Sequence, residues 1–186
     1  LSKNVALTDV NVSNNKLTTL DVSTNVNLTS LTASQNALAV LDISKNTELV
    51  SVDVARNNLT ALNSSANPKL TSLNAGTNLI SAIDLSKNTN LESVFLSLNK
   101  LAVLDVSALT MLTSLYVDFN SLKALDVSKN ILLTSINASH NKVTSFSGAM
   151  NTSLKILYLN DNKIKSIDVS ANTLLSNLDV SYNAIK

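Results

Sequence analysis

The sequence predicts a right-handed parallel β-solenoid built from 21-residue coils. Three observations predict this fold: one pattern returns without interruption at Leu7, Leu28 and every later coil, apolar positions alternate with polar ones, and Asn recurs at two fixed positions. A unit this short cannot bury its own apolar face, so successive units must stack into one continuous core. Parallel crossover connections are expected to be right-handed.

The period also sets the domain organisation. A partial coil covers 1–6, eight full coils cover 7–174 and the start of a ninth covers 175–186, with no insertion or deletion. Residues 1–186 are therefore expected to form a single solenoid domain. The chain begins without Met or a signal peptide, which indicates a mature product or an excised piece. Coil edges without caps are expected to favour end-to-end self-association.

The apolar columns predict the strands of each coil. We number the columns of the repeat from each opening Leu, and the coils from the one that opens at Leu7. Column 4 is aliphatic in every coil, from Val10 to Leu178, and columns 4 and 6 alternate with polar neighbours. A period of two is typical of a short strand. Columns 14 and 16 repeat this alternation around column 15, so two short strand-like faces are predicted for each coil.

Two columns of Asn are predicted to form ladders at the coil corners. Asn adopts turn conformations and hydrogen-bonds to nearby backbone groups, and stacked amides can satisfy groups that no strand partner reaches. Column 9 is Asn in all nine coils: Asn15, Asn36, Asn57, Asn78, Asn99, Asn120, Asn141, Asn162 and Asn183. Column 19 is Asn at eight positions, with Leu109 as the exception: Asn4, Asn25, Asn46, Asn67, Asn88, Asn130, Asn151 and Asn172.

These motifs resemble those of the leucine-rich repeat family. The signature LxxLxLxxNxL is met by LKILYLNDNKI at 154–164, and a nested second half appears as LDVSKN at 125–130, with close relatives at 41–46 and 83–88. The chain is most similar to the short bacterial class with nested repeats of this length. This resemblance implies a leucine-rich repeat solenoid with little helix. It also implies a bacterial secreted or cell-surface protein that acts by binding.

Composition excludes several functions. The chain has no Cys, so no thiolate metal site or cysteine nucleophile is available. A net charge of +1 gives no electrostatic case for nucleic acid binding. No apolar stretch is long enough to insert into a membrane. No phosphate loop, metal-ligand spacing or paired catalytic carboxylates occur, so the sequence predicts a protein that is not an enzyme and needs no cofactor or metal.

Two further features have functional alternatives. Column 15 is Asp in six coils, and such a row suggests calcium, but the glycine-rich context of calcium-binding β-rolls is missing, so a solvated face is favoured. The one histidine, His140, lies one coil from Asp161 and suggests half of a catalytic triad. No nucleophile or oxyanion arrangement accompanies it, and an exposed structural His is favoured.

Two coils depart from the pattern in the second half of the repeat. Asn63 and Ser64 replace the usual pair in one coil, and Ser147 and Gly148 replace it in another. Local relaxation of the back segment is the favoured interpretation, and a docking notch is the alternative.

The aromatic residues are the most informative functional feature. Five of the six lie in columns 5 and 8, all in coils 5–9, and the resemblance implies that these columns project from the ligand-facing strands. Exposed aromatic surface usually marks a contact site. The sequence predicts a ligand-binding patch, here called the strand-face patch: Phe95, Leu98, Tyr116, Phe119, Asn137, His140, Tyr158, Asp161 and Tyr182. An apolar stripe without a ligand, or a contact between copies, is the alternative.

The leading functional hypothesis is therefore a binding module for a protein or glycan ligand. The alternative is a structural spacer or stalk segment in a larger surface adhesin. Nine coils spaced by ~4.8 Å reach only about 40 Å, so a stalk would require many more copies. Ice binding through Thr in column 2 is disfavoured, because Val50, Glu92 and Lys155 interrupt the row.

Overall fold

A computed structural model describes all residues from Leu1 to Lys186 and shows a single parallel β-solenoid. Each coil contributes one short strand from columns 3 to 5. The strands are β1 (Asp9–Asn11), β2 (Ser30–Thr32), β3 (Ser51–Asp53), β4 (Ser72–Asn74), β5 (Ser93–Phe95), β6 (Ser114–Tyr116), β7 (Ser135–Asn137), β8 (Ile156–Tyr158) and β9 (Asn177–Asp179). They form one nine-stranded sheet in chain order. The predicted solenoid and its period are confirmed.

The register between neighbouring strands is one full coil throughout. Val10 pairs with Leu31, and the same offset continues to Leu157 and Leu178 at the last pair. Identical columns of successive coils therefore lie side by side. Because the central residue of each strand points inward, one uninterrupted core of 40 buried residues runs along the solenoid.

The back of each coil keeps the predicted alternation of burial but forms no strand. In coil 2, Leu41 and Ile43 are buried while Asp42 and Ser44 are exposed. The nine strands of the sheet are the only regular elements, and no helix is present. The second predicted face is thus strand-like in its side-chain pattern only, because its backbone groups form hydrogen bonds within turns. In coil 2, for example, the N–H of Asn46 donates to the carbonyl of Ile43 at 3.0 Å. No segment meets the length and hydropathy of a membrane-spanning helix.

The column 9 amides join neighbouring coils through both of their polar atoms. Asn57 Oδ1 accepts from the backbone N–H of Leu38 in the preceding coil at 3.0 Å. Its Nδ2 donates to the carbonyl of Ala33 in that coil and to the carbonyl of Val54 in its own. The pattern recurs from Asn36 to Asn183. Because the N–H of Leu38 has no other acceptor, each such amide satisfies a buried backbone group.

Six of the column 19 amides use only one of their two polar atoms. Asn67 Nδ2 donates to the carbonyls of Ile43 and Asn46 at 3.1 and 2.8 Å. The Oδ1 atoms of six of these residues are buried without a donor: Asn25, Asn46, Asn67, Asn130, Asn151 and Asn172. The two predicted ladders are therefore chemically different: from Asn36 onward column 9 bonds through both polar atoms, whereas in column 19 only Asn88 has a donor for its Oδ1.

Candidate functional site

The β-strands hold the predicted patch on one face of the sheet. In β6, Leu115 points into the core, while Ser114 and Tyr116 on either side point outward because alternate side chains of a strand face opposite sides. The parallel register then places Phe95 beside Tyr116, and Tyr116 beside Asn137. The strand face thus presents one column 5 side chain from every coil.

The rings of column 5 form a stacked pair in coils 5 and 6. Phe95 and Tyr116 have centroids 5.1 Å apart with an interplanar angle of 26°. The hydroxyl oxygen of Tyr116 lies 2.9 Å from Ser135 Oγ, which fixes the ring along the face. Both side chains are half-buried. Stacking and this hydrogen bond therefore preorganise the two rings before any ligand arrives.

Column 8 has a backbone conformation that the sequence did not reveal. All nine of its residues have positive φ, between 51° and 57°, although none is glycine. Asn tolerates this left-handed region, and Asn14 is the one Asn in the column, whereas Thr77, Leu98 and Phe119 adopt it at a cost. The left-handed turn ends each strand and carries the column 8 side chain at the edge of the face.

The column 8 side chains are the exposed part of the patch. Leu98 is 49% exposed, Phe119 47% and Tyr182 80%. Phe119 stacks on His140 with ring centroids 4.0 Å apart and an interplanar angle of 14°. Three of the five column 8 side chains of coils 5–9 are therefore large, apolar or aromatic, and exposed.

His140 and Asp161 form a pair that links coils 7 and 8. His140 Nδ1 lies 3.4 Å from Asp161 Oδ2, and the same carboxylate oxygen accepts from Asn160 Nδ2 at 3.2 Å. The ring is also covered on one side by Phe119. The pair therefore has the contacts of a structural bridge between coils, and nothing in its contacts requires a catalytic role.

One predicted patch residue has a local structural partner. Asn137 Oδ1 accepts from the backbone N–H and the hydroxyl of Ser139, at 3.1 and 2.7 Å. The Oδ1 atom of Asn137 is thus bonded within its own turn. In the sheet, Asn137 lies between Tyr116 of the preceding coil and Tyr158 of the next. The structure brings the nine residues to one face, four of them as two stacked pairs, with five outside those pairs: Leu98, Asn137, Tyr158, Asp161 and Tyr182.

Column 5 also controls a backbone donor two residues later. Where column 5 is Asn or Asp, its side chain accepts from the N–H of column 7, as Asp53 does from Ala55 at 3.1 Å. Where column 5 is aromatic, that N–H has no acceptor within the chain. Three rings are therefore each followed by an unused donor near the strand face: Phe95 by Ser97, Tyr116 by Asp118 and Tyr158 by Asn160.

The row of aspartates in column 15 is explained by turn formation. Asp42 Oδ1 accepts from the backbone N–H of Ser44 at 2.8 Å, and Asp84, Asp105 and Asp126 make the same bond. The backbone N–H and then the hydroxyl of Ser44 lower the pKa of Asp42 below its ordinary value. No group of three or more metal-ligating side chains converges in the structure. The carboxylates of the column 15 aspartates are thus bonded within their own turns.

The two irregular coils keep the turn hydrogen bond of the other coils. The turn N–H of Asn67 donates to the carbonyl of Ser64 at 2.9 Å, and the equivalent bond to Gly148 has the same length. Ser64 is buried and its hydroxyl donates to Asn88 Oδ1 at 2.7 Å, which satisfies the one column 19 acceptor that lies opposite a Ser. In coil 7 the backbone differs locally, since the N–H of Thr144 donates to the carbonyl of Lys123 at 3.4 Å, a bond without an equivalent in the other coils.

At Gly148 the compensation is steric. A Cβ on this glycine would lie 3.3 Å from Phe146 Cε1 and 3.1 Å from Asn172 Oδ1. Phe146 is 8% exposed and occupies column 14, where the other coils carry Leu or Ile. The larger ring therefore uses space that the missing side chain leaves.

Comparison with solved structures decides the family. The functional domain of InlJ from Listeria monocytogenes, described as including a cysteine ladder, is 38% identical and superposes with a TM-score of 0.98 over 99% of this chain. The chain is a leucine-rich repeat protein. It spans 41% of the InlJ domain's length, and it has no Cys with which to form such a ladder.

Two more distant leucine-rich repeat structures share the fold. An internalin (inlF) from Listeria monocytogenes has 23% identity and a TM-score of 0.91, covering all of this chain and 58% of its own. The ectodomain of the plant receptor kinase GASSHO1/SCHENGEN3 from Arabidopsis thaliana, solved with CASPARIAN STRIP INTEGRITY FACTOR 2, has 21% identity and a TM-score of 0.80, covering 87% of this chain and 22% of its own. No family model and no curated protein sequence matches the chain.

Proposed function

We propose that this leucine-rich repeat protein is a non-enzymatic recognition module that binds a protein through the strand-face patch. The observation that carries the proposal is the placement of exposed apolar side chains in the left-handed positions of column 8, with Leu98 and Phe119 about half exposed. The same backbone conformation recurs in column 8 of every coil, so the feature particular to coils 5–9 is the exposed apolar side chain. Buried and half-buried aromatic anchors carry most of the binding energy at protein interfaces.

The stacked geometry favours a protein over a glycan. Phe95 and Tyr116 cover one face of each other, as do Phe119 and His140. A ring face that is covered by a neighbouring ring cannot stack on a sugar. Ring edges and exposed aliphatic groups can still contact apolar side chains of a protein partner. The complex in which the Arabidopsis ectodomain was solved supports a proteinaceous ligand for the fold.

A bacterial, extracellular or cell-surface location is part of the same proposal. It is supported by the similarity to the InlJ domain and to an internalin, both from Listeria monocytogenes. The stalk alternative remains compatible with a chain that matches less than half of the InlJ domain. A spacer, however, gives no reason for aromatic residues on one face of one half.

The patch is tested with a pair of substitutions that the fold tolerates. We expect Leu98→Asn/Phe119→Asn to keep the fold, because Asn14 already occupies the equivalent position with the same backbone conformation. The matched control is Gln35→Asn/Arg56→Asn, which makes the same change in column 8 of coils 2 and 3. The probe is a set of peptides selected from a random displayed library on the immobilised wild-type protein.

Isothermal titration with the synthesised peptides gives the readout. Loss of two anchors should weaken binding by at least about 30-fold, the equivalent of one interface hot spot, while the control keeps wild-type affinity. Sedimentation at the working concentrations separates ligand binding from end-to-end association of the chain. Equal affinity of wild type and Leu98→Asn/Phe119→Asn, or a library that yields no enriched sequence, would contradict the proposal.

A further inference from the structure

A cluster of lysines lies beside the strand-face patch. Columns 10 and 12 follow column 8 directly after the strand, and in coils 5–9 they carry six exposed lysines and no acidic residue. We call this set the lysine rim: Lys100, Lys123, Lys142, Lys163, Lys165 and Lys186. In coils 1–4 the same two columns carry one lysine, Lys16. The positive charge of these two columns is thus concentrated in the half of the solenoid that carries the aromatic residues.

The lysine rim is within reach of anything that contacts the patch. Column 10 is two residues beyond column 8, so their Cα atoms are at most about 7 Å apart. Lys142 Nζ donates to Ser121 Oγ of the preceding coil at 3.3 Å, so the column 10 side chains follow one another along the solenoid. A ligand held by Phe119 therefore lies against column 10 of the same and neighbouring coils.

No lysine of the rim makes an ion pair within the chain: the one lysine–carboxylate pair is Lys69 with Glu48. The carboxylates of coils 6 and 8 near the rim have other partners, since Asp118 accepts from Ser97 Oγ and Asp161 contacts His140 and Asn160. The carboxylates of column 15 accept from the Ser residues that follow them. The rim is thus free to pair with carboxylates of a partner.

The free backbone donors add a second, independent feature. The N–H groups of Ser97, Asp118 and Asn160 have no acceptor, and in coils with Asn or Asp in column 5 the equivalent N–H bonds to a carboxylate or amide oxygen. Each therefore offers a position where a partner's oxygen can take the place of the missing column 5 side chain. Carboxylate oxygens make the stronger of such bonds.

We propose, on the basis of the proposed function, that the partner presents an acidic protein segment whose apolar side chains contact the strand-face patch and whose carboxylates contact the lysine rim. The aromatic rings supply contact area, and the rim and the free N–H groups select for negative charge. The net charge of the whole chain is only +1, so attraction is local to this edge and not a general affinity for polyanions.

The test neutralises three rim lysines that share a column. Lys100→Gln/Lys142→Gln/Lys163→Gln removes the charge of column 10 and keeps most of each side chain. The matched control is Lys45→Gln/Lys87→Gln/Lys129→Gln, three exposed lysines of column 18 on the other side of the coil. The probes are peptides selected from the random library, the same peptides with Asp and Glu changed to Asn and Gln, and chondroitin sulfate as an anionic glycan.

We expect selected peptides to contain Asp or Glu next to apolar residues. The rim variant should bind them about tenfold more weakly at low ionic strength, with the difference shrinking as salt screens the charges. The column 18 variant should bind as the wild type does, and the amidated peptides should lose the same factor on the wild type.

The possible results separate this inference from the proposed function. Neutral selected peptides that depend on Leu98 and Phe119 but not on the rim would overturn the acidic partner and leave the recognition module intact. Peptides that depend on neither set would overturn both proposals. Binding of chondroitin sulfate that depends on the patch and exceeds that of every peptide would overturn a protein partner in favour of a glycan.

Discussion

The two Asn columns differ in tolerance to replacement by leucine, and this difference follows from their hydrogen bonds. Asn57 in column 9 is bonded through both Oδ1 and Nδ2, whereas Asn67 in column 19 leaves Oδ1 buried without a donor. We expect Asn57→Leu to destabilise the solenoid strongly and Asn67→Leu to be close to neutral. The chain already carries Leu109 in column 19, with no exposed surface.

The magnitude follows from the partners that each change leaves behind. Without Asn57, the N–H of Leu38 is buried with no acceptor, which costs ~1–3 kcal/mol, and three donated bonds are lost as well. We expect a total of about 3 kcal/mol. Without Asn67, two donated bonds of about 1 kcal/mol each are lost, but an unsatisfied oxygen costing a similar amount disappears.

Equilibrium urea denaturation followed by circular dichroism measures both effects. Asn58→Leu, in exposed column 10, is the control for adding an apolar side chain in the same coil, and it should change the free energy of unfolding by less than about 0.5 kcal/mol. An equal loss in the free energy of unfolding for Asn67→Leu and Asn57→Leu would refute this reasoning. It would mean that the hydrogen bonds accepted by Oδ1 do not decide the stability of the coil corners.

Three further predictions follow from the turns and the core. Thr77→Asn should raise the free energy of unfolding by about 1 kcal/mol, because Thr77 has φ of 54° and Asn tolerates that conformation better. A lower free energy of unfolding in this variant would contradict backbone strain in column 8. Gly148→Val and Phe146→Leu should each destabilise alone, whereas the double variant should recover at least half of the summed loss in a denaturation cycle. Because the column 15 aspartates have lowered pKa values in the folded state, the unfolded chain binds more protons at acidic pH. Stability should therefore be full at neutral pH and fall as the pH drops below the ordinary value of 3.8, and Asp105→Asn should reduce this loss in acid denaturation.

The features repeated in every coil could be read from the sequence. The buried positions of column 4, the two Asn columns and the strand face all follow from residue type and period, since each position has the same neighbours in every coil. The strands and the core are confirmed at those columns. The strand-face patch stays a prediction as a binding site, although the structure places its residues together.

The features that escaped prediction depend on contacts between different columns of neighbouring coils. The hydroxyl of Ser64 meets Asn88 in the next coil, and Phe146 fills space over Gly148. The repeat pattern compares equivalent positions of successive coils, so it does not predict contacts between residues of different columns. The left-handed turn of column 8 was hidden for another reason: glycine, its usual sequence signal, is absent there, and only Asn14, His140 and Asp161 are residue types that favour this conformation.

The absence of glycine from column 8 bears directly on function. Six of its residues have no special tolerance for the left-handed region: Gln35, Arg56, Thr77, Leu98, Phe119 and Tyr182. At ~1–2 kcal/mol each, their strain is comparable with the whole stability of an ordinary domain. Glycine or Asn would remove it, and the chain does place Gly76 one position earlier, in column 7.

The kind of side chain held in this strained position differs between the two halves of the solenoid. In coils 1–4 the strained side chains are polar or β-branched, whereas in coils 5–9 they include Leu98, Phe119 and Tyr182. The strain itself is common to both halves, so what distinguishes coils 5–9 is the large apolar surface that these side chains expose. The proposed binding role gives a reason for that exposed surface, whereas a spacer gives none.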